Sequence, residues 1–164
     1  MNPKNPELHL ALINRWMPDA IAEAQTGMAS GEVPVGAVVI KNDVIIGRGH
    51  NTKEMDHDPT AHAEIVAIRN ACATVGDWRL DGAILVSTLE PCPMCAGAIL
   101  HARIAVVGYG AKDFKWGAAE TKLNLFEDVT FNHITTAYYV PSLECETMLT
   151  QFFRQLRHSR LTDV

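Results

Sequence analysis

The chain is short of the features that would place it in a membrane or among secreted proteins. No stretch approaches the roughly 18 consecutive apolar residues that a membrane-spanning helix needs. The start, Met1-Asn2-Pro3-Lys4-Asn5-Pro6, is polar and broken by proline, with no apolar signal region behind it, so a cytoplasmic protein is expected. Cysteine is sparse. Without a leader, Cys72, Cys92, Cys95 and Cys145 do not suggest a disulfide framework. Positive charge is also scarce: 14 Lys and Arg against 19 Asp and Glu leave a net charge of −5. That argues against a general nucleic-acid binder and requires any such contact to come from a local patch. Arg154, Arg157, His158 and Arg160 form one such cluster, although the same residues suit a solvated helix C-terminus. Repeats, linkers and low-complexity tracts are lacking too. At 48% hydrophobic and 20% charged residues, a single domain over residues 1–164 with its own core is expected.

What is present alternates between helical and strand patterns. Residues from about Leu8 to Met28 have helical spacing, with Leu12, Trp16, Ile21 and Ala24 as inward positions. Pro18 either kinks this helix or stands in its first turn. Val35 to Ile40 and Val44 to Arg48 read as a β-hairpin around Lys41-Asn42-Asp43. A polar loop from Asn51 to Asp58 leads into a helix from Pro59 to about Ala73, with Asp58 as its N-cap and Ile65, Ile68 and Cys72 as its buried stripe. Strands at Ala83 to Thr88, Ile104 to Tyr109 and Ile134 to Val140 follow, with a helix from Pro91 to Ala102 between the first two. A last helix runs from Pro141 to about Arg157, with Leu143, Met148, Phe152 and Leu156 available for its apolar face. This order implies a layered α/β domain with a mixed sheet.

The chemistry concentrates in Thr60-Ala61-His62-Ala63-Glu64 and Glu90-Pro91-Cys92-Pro93-Met94-Cys95. His62, Cys92 and Cys95 can make a three-ligand metal set, and catalytic zinc keeps three protein ligands and one open position. Cys92 and Cys95 stand at i and i+3 on one face of a helix N-terminus, where thiolates are favoured. A CxxC pair alone also fits a redox centre or half of a structural zinc site. His57, His101, Cys72 and Cys145 are poorer ligands: the first lies in a loop, His101 two turns past the cysteines, and the two cysteines read as core.

The whole pattern, His-Ala-Glu followed by Pro-Cys-x-x-Cys, resembles the cytidine deaminase superfamily. The resemblance implies a three-layer α/β/α fold with a mixed five-stranded sheet, one zinc per subunit on His62, Cys92 and Cys95, and Glu64 as the proton carrier. Beyond the metal motif, the chain from about Trp16 to Arg157 is similar to bacterial tRNA-specific adenosine deaminases of the TadA type. The matching stretches include Glu32-Val33-Pro34-Val35-Gly36-Ala37, Asp58-Pro59-Thr60-Ala61-His62-Ala63-Glu64-Ile65, Tyr109-Gly110-Ala111-Lys112-Asp113, Asn132-His133 and Phe152-Phe153-Arg154 with Arg157.

That similarity implies deamination of the wobble adenosine of a tRNA anticodon to inosine by a homodimer, with no organic cofactor. Asn51 and Ala63 would meet the flipped base, Asp113, Asn132 and His133 the flanking nucleotides, and Phe152, Phe153 and Arg157 the splayed loop. Three positions depart from the family pattern: Trp116 replaces a small or polar residue, Glu120 puts a carboxylate where a small residue is usual, and Pro18 interrupts the first helix. Two alternatives stay open. One is a deaminase of guanine or a related free base, which shares both metal stretches; the other is a non-catalytic zinc- and RNA-binding subunit, against which the presence of Glu64 argues.

Overall fold

The computed structural model describes residues 5–127 and 130–162, and the side chains of residues up to 159. Arg160's side chain and Asp163 therefore lie outside the described residues. The first helix, α1, spans Pro6–Ala29. Asn5 caps it, its side chain accepting the Leu8 N–H at 3.1 Å, and Pro6 opens it where no amide donor is missed. Pro18 does not begin a helix but sits inside this one. Burial on both sides of it, at Ile13, Met17, Ala20, Ile21 and Ala24, holds the helix together. Pro18 and Asn14, whose carbonyl loses its donor, both face solvent. The fully buried stripe thus runs through Ile13 and Met17, with Leu12 and Trp16 only partly covered.

Strands β1 (Gly36–Lys41) and β2 (Val44–His50) form the expected hairpin. Asn42 and Asp43 make its turn at φ 52° and 62°, a left-handed pair that matches the twist of the two strands. The segment after β2, expected as a loop, contains one helical turn, α2 (Lys53–Asp56). Next comes α3 (Ala63–Val75), four residues later than expected from Asp58-Pro59. Asp58 is not its N-cap. Its carboxylate accepts the backbone N–H and the hydroxyl of Thr60, closing a separate turn before the helix. The remaining elements are β3 (Ile84–Leu89), α4 (Pro93–His101), β4 (Val106–Ala111), β5 (Thr136–Tyr139) and α5 (Leu143–Thr162).

The five strands form one sheet in the order β2-β1-β3-β4-β5. β1 is antiparallel to β2 and β3, while β3, β4 and β5 are parallel, so the sheet is mixed. Alternate residues feed opposite faces. Ala37, Val39, Leu85, Val107 and Tyr109 join the core under α3 and α4, and Val38, Ile40, Ile84, Val86 and Val106 join the core under α1 and α5. The result is three layers, helix on sheet on helix.

The face that α3 buries is Ala63, Glu64, Ala67, Ile68 and Ala71, rather than Ile65, Ile68 and Cys72, because the helix lies directly on β2. A Cβ added at Gly49 would stand 2.5 Å from the Ala67 nitrogen and 2.6 Å from the Ala63 oxygen, and one at Gly47 would meet the backbone of Ala67 and Ala71. Only glycine on the strand and alanine on the helix allow this approach. α5 likewise buries Cys145 and Met148, with Leu149 against them, while Leu143 is exposed. Among the described residues, no helix is long and apolar enough to cross a membrane.

Candidate active site

β2 and β3 run in the same direction, each antiparallel to the β1 strand between them, so both end at one edge of the sheet. His62 and Cys92 are the N-caps of the helices beyond that edge, α3 and α4, both with extended backbone at φ −77°, ψ 152° and φ −74°, ψ 171°. Cys95 follows one turn into α4 and is fully buried. His62 Nδ1 lies 3.7 Å from Cys92 Sγ and 3.6 Å from Cys95 Sγ. The three candidate ligand atoms all fall within 4.8 Å of one another. His57, at φ 51° after α2, is not part of this group, nor are Cys72 and Cys145. Cys145 packs its sulfur 3.9 Å from that of Met17, and Cys72 points at the Trp78 carbonyl.

The cluster divides its protons unevenly. The Cys95 thiol hydrogen bond and the neighbouring His62 pull the Cys92 thiol down to about 4, against its burial. The same bond to Cys92, together with burial, pushes Cys95 up. His62 is raised by its bond to Cys92 and then by the charge of Glu64. Glu64 stands in the first turn of α3, 3% exposed, with its carboxylate against the Cys95 thiol. Burial raises it to about 7, with the Cys92 charge adding to the rise. A thiolate, an imidazole and a carboxyl poised near neutrality thus share one small volume.

Buried polar side chains tie the surrounding segments to this group. Asn51, at the end of β2, accepts the Ala63 N–H through Oδ1 at 2.9 Å, which leaves both hydrogens of its Nδ2 for a ligand. Glu32 accepts the N–H groups of Glu54 and Met55, fastening α2 beside the site. Glu90, two residues before Cys92 and 1% exposed, gathers a whole loop. Its Oε1 accepts the N–H groups of Ala119, Glu120 and Thr121 at 3.1, 2.9 and 3.0 Å. Its Oε2 accepts the Asp113 N–H at 3.0 Å and the Thr121 hydroxyl. Burial would raise this carboxyl, but the Thr121 hydroxyl and these amides hold it below the usual carboxylate range. Sequence reading assigns no role to Glu32 or Glu90. The available signal is an acid set at the end of an apolar strand, as in Ser87-Thr88-Leu89-Glu90.

The other sequence-expected contact residues are spread over three places. Asp113 opens the loop held by Glu90, and its Oδ1 accepts the N–H groups of Lys115 and Trp116. Phe152 and Phe153 meet edge to face with ring centroids 5.5 Å apart on α5, whose side chains from Phe153 to Ser159, including Arg157, are exposed. Asn132 and His133 are not brought to the cluster within one chain. They bond to Arg103 and to the Ile104 carbonyl, before β4 and β5 begin, whereas Cys92 follows the opposite end of the parallel strand β3. Glu120, the unexpected acid, accepts the Tyr109 hydroxyl at 2.8 Å and pairs with Lys112 at 3.1 Å, so its charge is answered locally. An open hollow of about 630 Å³ beside it, lined by Tyr109, Phe126, Ile134 and Tyr139, includes none of His62, Cys92 and Cys95.

Comparison with known proteins agrees with this geometry. Residues 13–157 match the model of the MafB19-like deaminase family. The chain is 46% identical over 146 residues to a tRNA-specific adenosine deaminase of Bacillus subtilis, covering 88% of this chain and 91% of the relative. It is 42% identical over 148 residues to the tRNA-specific adenosine deaminase of Haemophilus influenzae, covering 89% and 86%. Among solved structures, one described for A-to-I editing by tRNA:A34 deaminases at the wobble position shares 40% identity with a TM-score of 0.76, over 85% of this chain and 99% of that one. The mixed five-stranded sheet with helices on both faces is the cytidine deaminase-like fold of that neighbour. A guanine deaminase of Bacillus subtilis shares 36% identity with a TM-score of 0.57, over 92% and 94%.

Proposed function

The chain belongs to the MafB19-like deaminases and to the family of the tRNA-specific adenosine deaminases, and from that premise we propose that it hydrolyses the wobble adenosine of a tRNA anticodon to inosine. The observation that carries this reading is the meeting of His62, Cys92 and Cys95 beside the buried carboxyl of Glu64.

The donor set fits zinc: one imidazole nitrogen and two sulfurs, borderline-soft ligands at the rigid starts of two helices, three in number. When bound by His62, Cys92 and Cys95, one zinc per subunit supplies a water acidified toward neutrality. The chain's own residues do the rest. Glu64 takes a proton from the attacking water, gives it to the adenine ring, and passes the next to the amino group that leaves C6 as ammonia. Its burial against the Cys95 thiol keeps bulk water from short-circuiting these transfers. Asn51 orients the base through Nδ2, because its Oδ1 and the Ala63 amide hold each other.

The RNA is held by three groups in this reading: Asp113 on the Glu90 loop, Phe152 and Phe153 as stacking surfaces, and Arg157 at a phosphate. Asn132 and His133 meet RNA beyond the reacting nucleotide. A cytoplasmic homodimer acting without an organic cofactor completes the proposal, on the resemblance of the chain to its family.

The test is turnover. The protein is incubated with an anticodon stem-loop carrying adenosine at the wobble position and, separately, with guanine, adenine, cytosine and cytidine. Inosine in the stem-loop with inert free bases is expected. The 36% identity to a guanine deaminase makes guanine the informative control: its turnover alone overturns the proposal.

A further inference from the structure

Two large aromatic side chains stand in solvent on the loop that Glu90 holds. Phe114 is 73% exposed and Trp116 67%, with the exposed Lys115 between them. Side chains of this size rarely stand bare in pairs without a partner to cover them. The loop beneath them is firmly fixed. Asp113 Oδ1 accepts the N–H groups of Lys115 and Trp116 at 2.8 and 3.0 Å, and the Asp113 carbonyl accepts the Gly117 N–H at 2.9 Å. Both ends are fastened to the segment that leads into Cys92. Asp113 and Ala119 to Thr121 donate to Glu90, and Ala118 donates to the Pro91 carbonyl at 2.9 Å. The aromatics are therefore carried on a rigid turn anchored to the metal-ligand segment itself.

We propose that Phe114 and Trp116 form a stacking platform for the unpaired nucleotides beside the reacting adenosine, with Lys115 meeting their phosphate. The proposal rests on the reading of the substrate given above and deepens it. A deaminase must unstack its target base, and the neighbours of that base then lose a stacking face of their own. An aromatic plane replaces it whatever the base, and a cation between two such planes complements the backbone. Rigidity matters here because a platform that is already ordered loses little entropy on binding.

The experiment uses the zinc-loaded protein carrying Glu64→Ala, which binds without turnover, and an anticodon stem-loop with wobble adenosine. Adding Trp116→Ala is expected to raise Kd about tenfold, Phe114→Ala several-fold, and Trp116→Phe by less than about twofold. The slope of log Kd against log salt should stay unchanged for all three, since stacking releases no counterion. With an abasic position placed beside the wobble adenosine, on one side and then the other, the Trp116→Ala protein should match its parent in one of the two. Both positions are exposed, and an unchanged melting temperature verifies that the fold is intact. Parental affinity in Trp116→Ala, or a penalty that persists with both abasic loops, overturns the platform. So does dissociation of a dimer with unchanged RNA affinity, which assigns the aromatics to protein contact. A wild-type protein inert on the stem-loop overturns the substrate reading instead, whereas wild-type turnover with unaffected Trp116→Ala binding overturns the platform alone.

Discussion

Asn51 Oδ1 accepts the backbone N–H of Ala63 at 2.9 Å, and Ala63 stands between His62 and Glu64. The end of β2 therefore sets the position of both the candidate metal ligand and the proton carrier. Asn51→Ala leaves a buried N–H without its acceptor and should cost about 1–3 kcal/mol in urea or thermal unfolding. Asn51→Asp keeps an acceptor but loses the Nδ2 donor. It should recover most of the stability and none of the activity. Equal stability losses in the two variants would count against the Ala63 contact.

Glu90 makes five hydrogen bonds to one loop, to the amides of Asp113, Ala119, Glu120 and Thr121 and to the Thr121 hydroxyl. Removing an acceptor of that many buried donors should be among the severest single changes in the protein. We expect Glu90→Ala to lose at least about 3 kcal/mol, or to fail to fold, and Thr121→Val to lose about 1 kcal/mol. Limited proteolysis of the folded Thr121→Val protein should cut first within residues 113–121. Protection equal to wild type would show that the carboxylate does not hold this loop.

Glu64 and Cys92 should separate chemistry from metal binding. Glu64→Gln is expected to keep about one zinc per chain by metal analysis and to lose at least about a hundredfold in kcat. Cys92→Ala should lose the zinc itself and, with it, all turnover. Chelation of wild-type protein should abolish activity and lower the melting temperature, with both restored by added zinc. Full activity in freshly purified, metal-free protein would refute the site.

Gly49 faces the backbone of α3, where a Cβ would lie 2.5 Å from the Ala67 nitrogen and 2.9 Å from the Val66 Cβ. Gly49→Ala must push the helix off the strand, at a cost of roughly 1–3 kcal/mol or more. Because α3 carries His62 and Glu64, zinc affinity should fall in parallel with stability. A stable Gly49→Ala protein with normal zinc content would mean that the contact is softer than its geometry implies.

Arg157 is exposed on α5, and in our reading it neutralises one phosphate. Arg157→Ala should weaken stem-loop binding and lower the magnitude of the salt slope by about 1, without altering zinc content or melting temperature. An unaltered slope would remove α5 from the RNA contact.

The chemistry of this chain was more legible than its packing. His62 with Glu64, and Cys92 with Cys95, stand in two short motifs whose combination is far more specific than either alone, and the structure gathers their side chains into one volume. The hairpin turn at Asn42-Asp43 was readable for the same reason, since short polar residues tolerate positive φ there. The stripes of α3 and α5 were only partly placed: Ile68 and Met148 are buried as expected, but hydrophobic spacing ranks large residues first and missed the small ones beside them. On α3 the close approach to Gly47 and Gly49 selects Ala67 and Ala71 instead. Asp58-Pro59 looked like a helix start because the side chain that closes a turn is also the one that caps a helix. Pro18 misled because tertiary burial on both sides outweighs one lost backbone hydrogen bond. The roles of Glu32 and Glu90 depend on amides 22 to 31 residues away, which no local pattern reveals.

The Glu90 carboxylate makes the segment from Asp113 to Thr121 resemble an interchangeable cartridge. Its fastening uses backbone donors almost entirely, so it is blind to the side chains the cartridge carries. A lineage, or an engineer, can therefore rewrite Phe114, Lys115 and Trp116 without disturbing the latch, provided Gly117 stays small enough to pass the carboxylate. If the loop contacts RNA as proposed, its recognition side chains can change while the Glu90 fastening stays the same. New recognition surfaces can be tried beside an unaltered reaction centre.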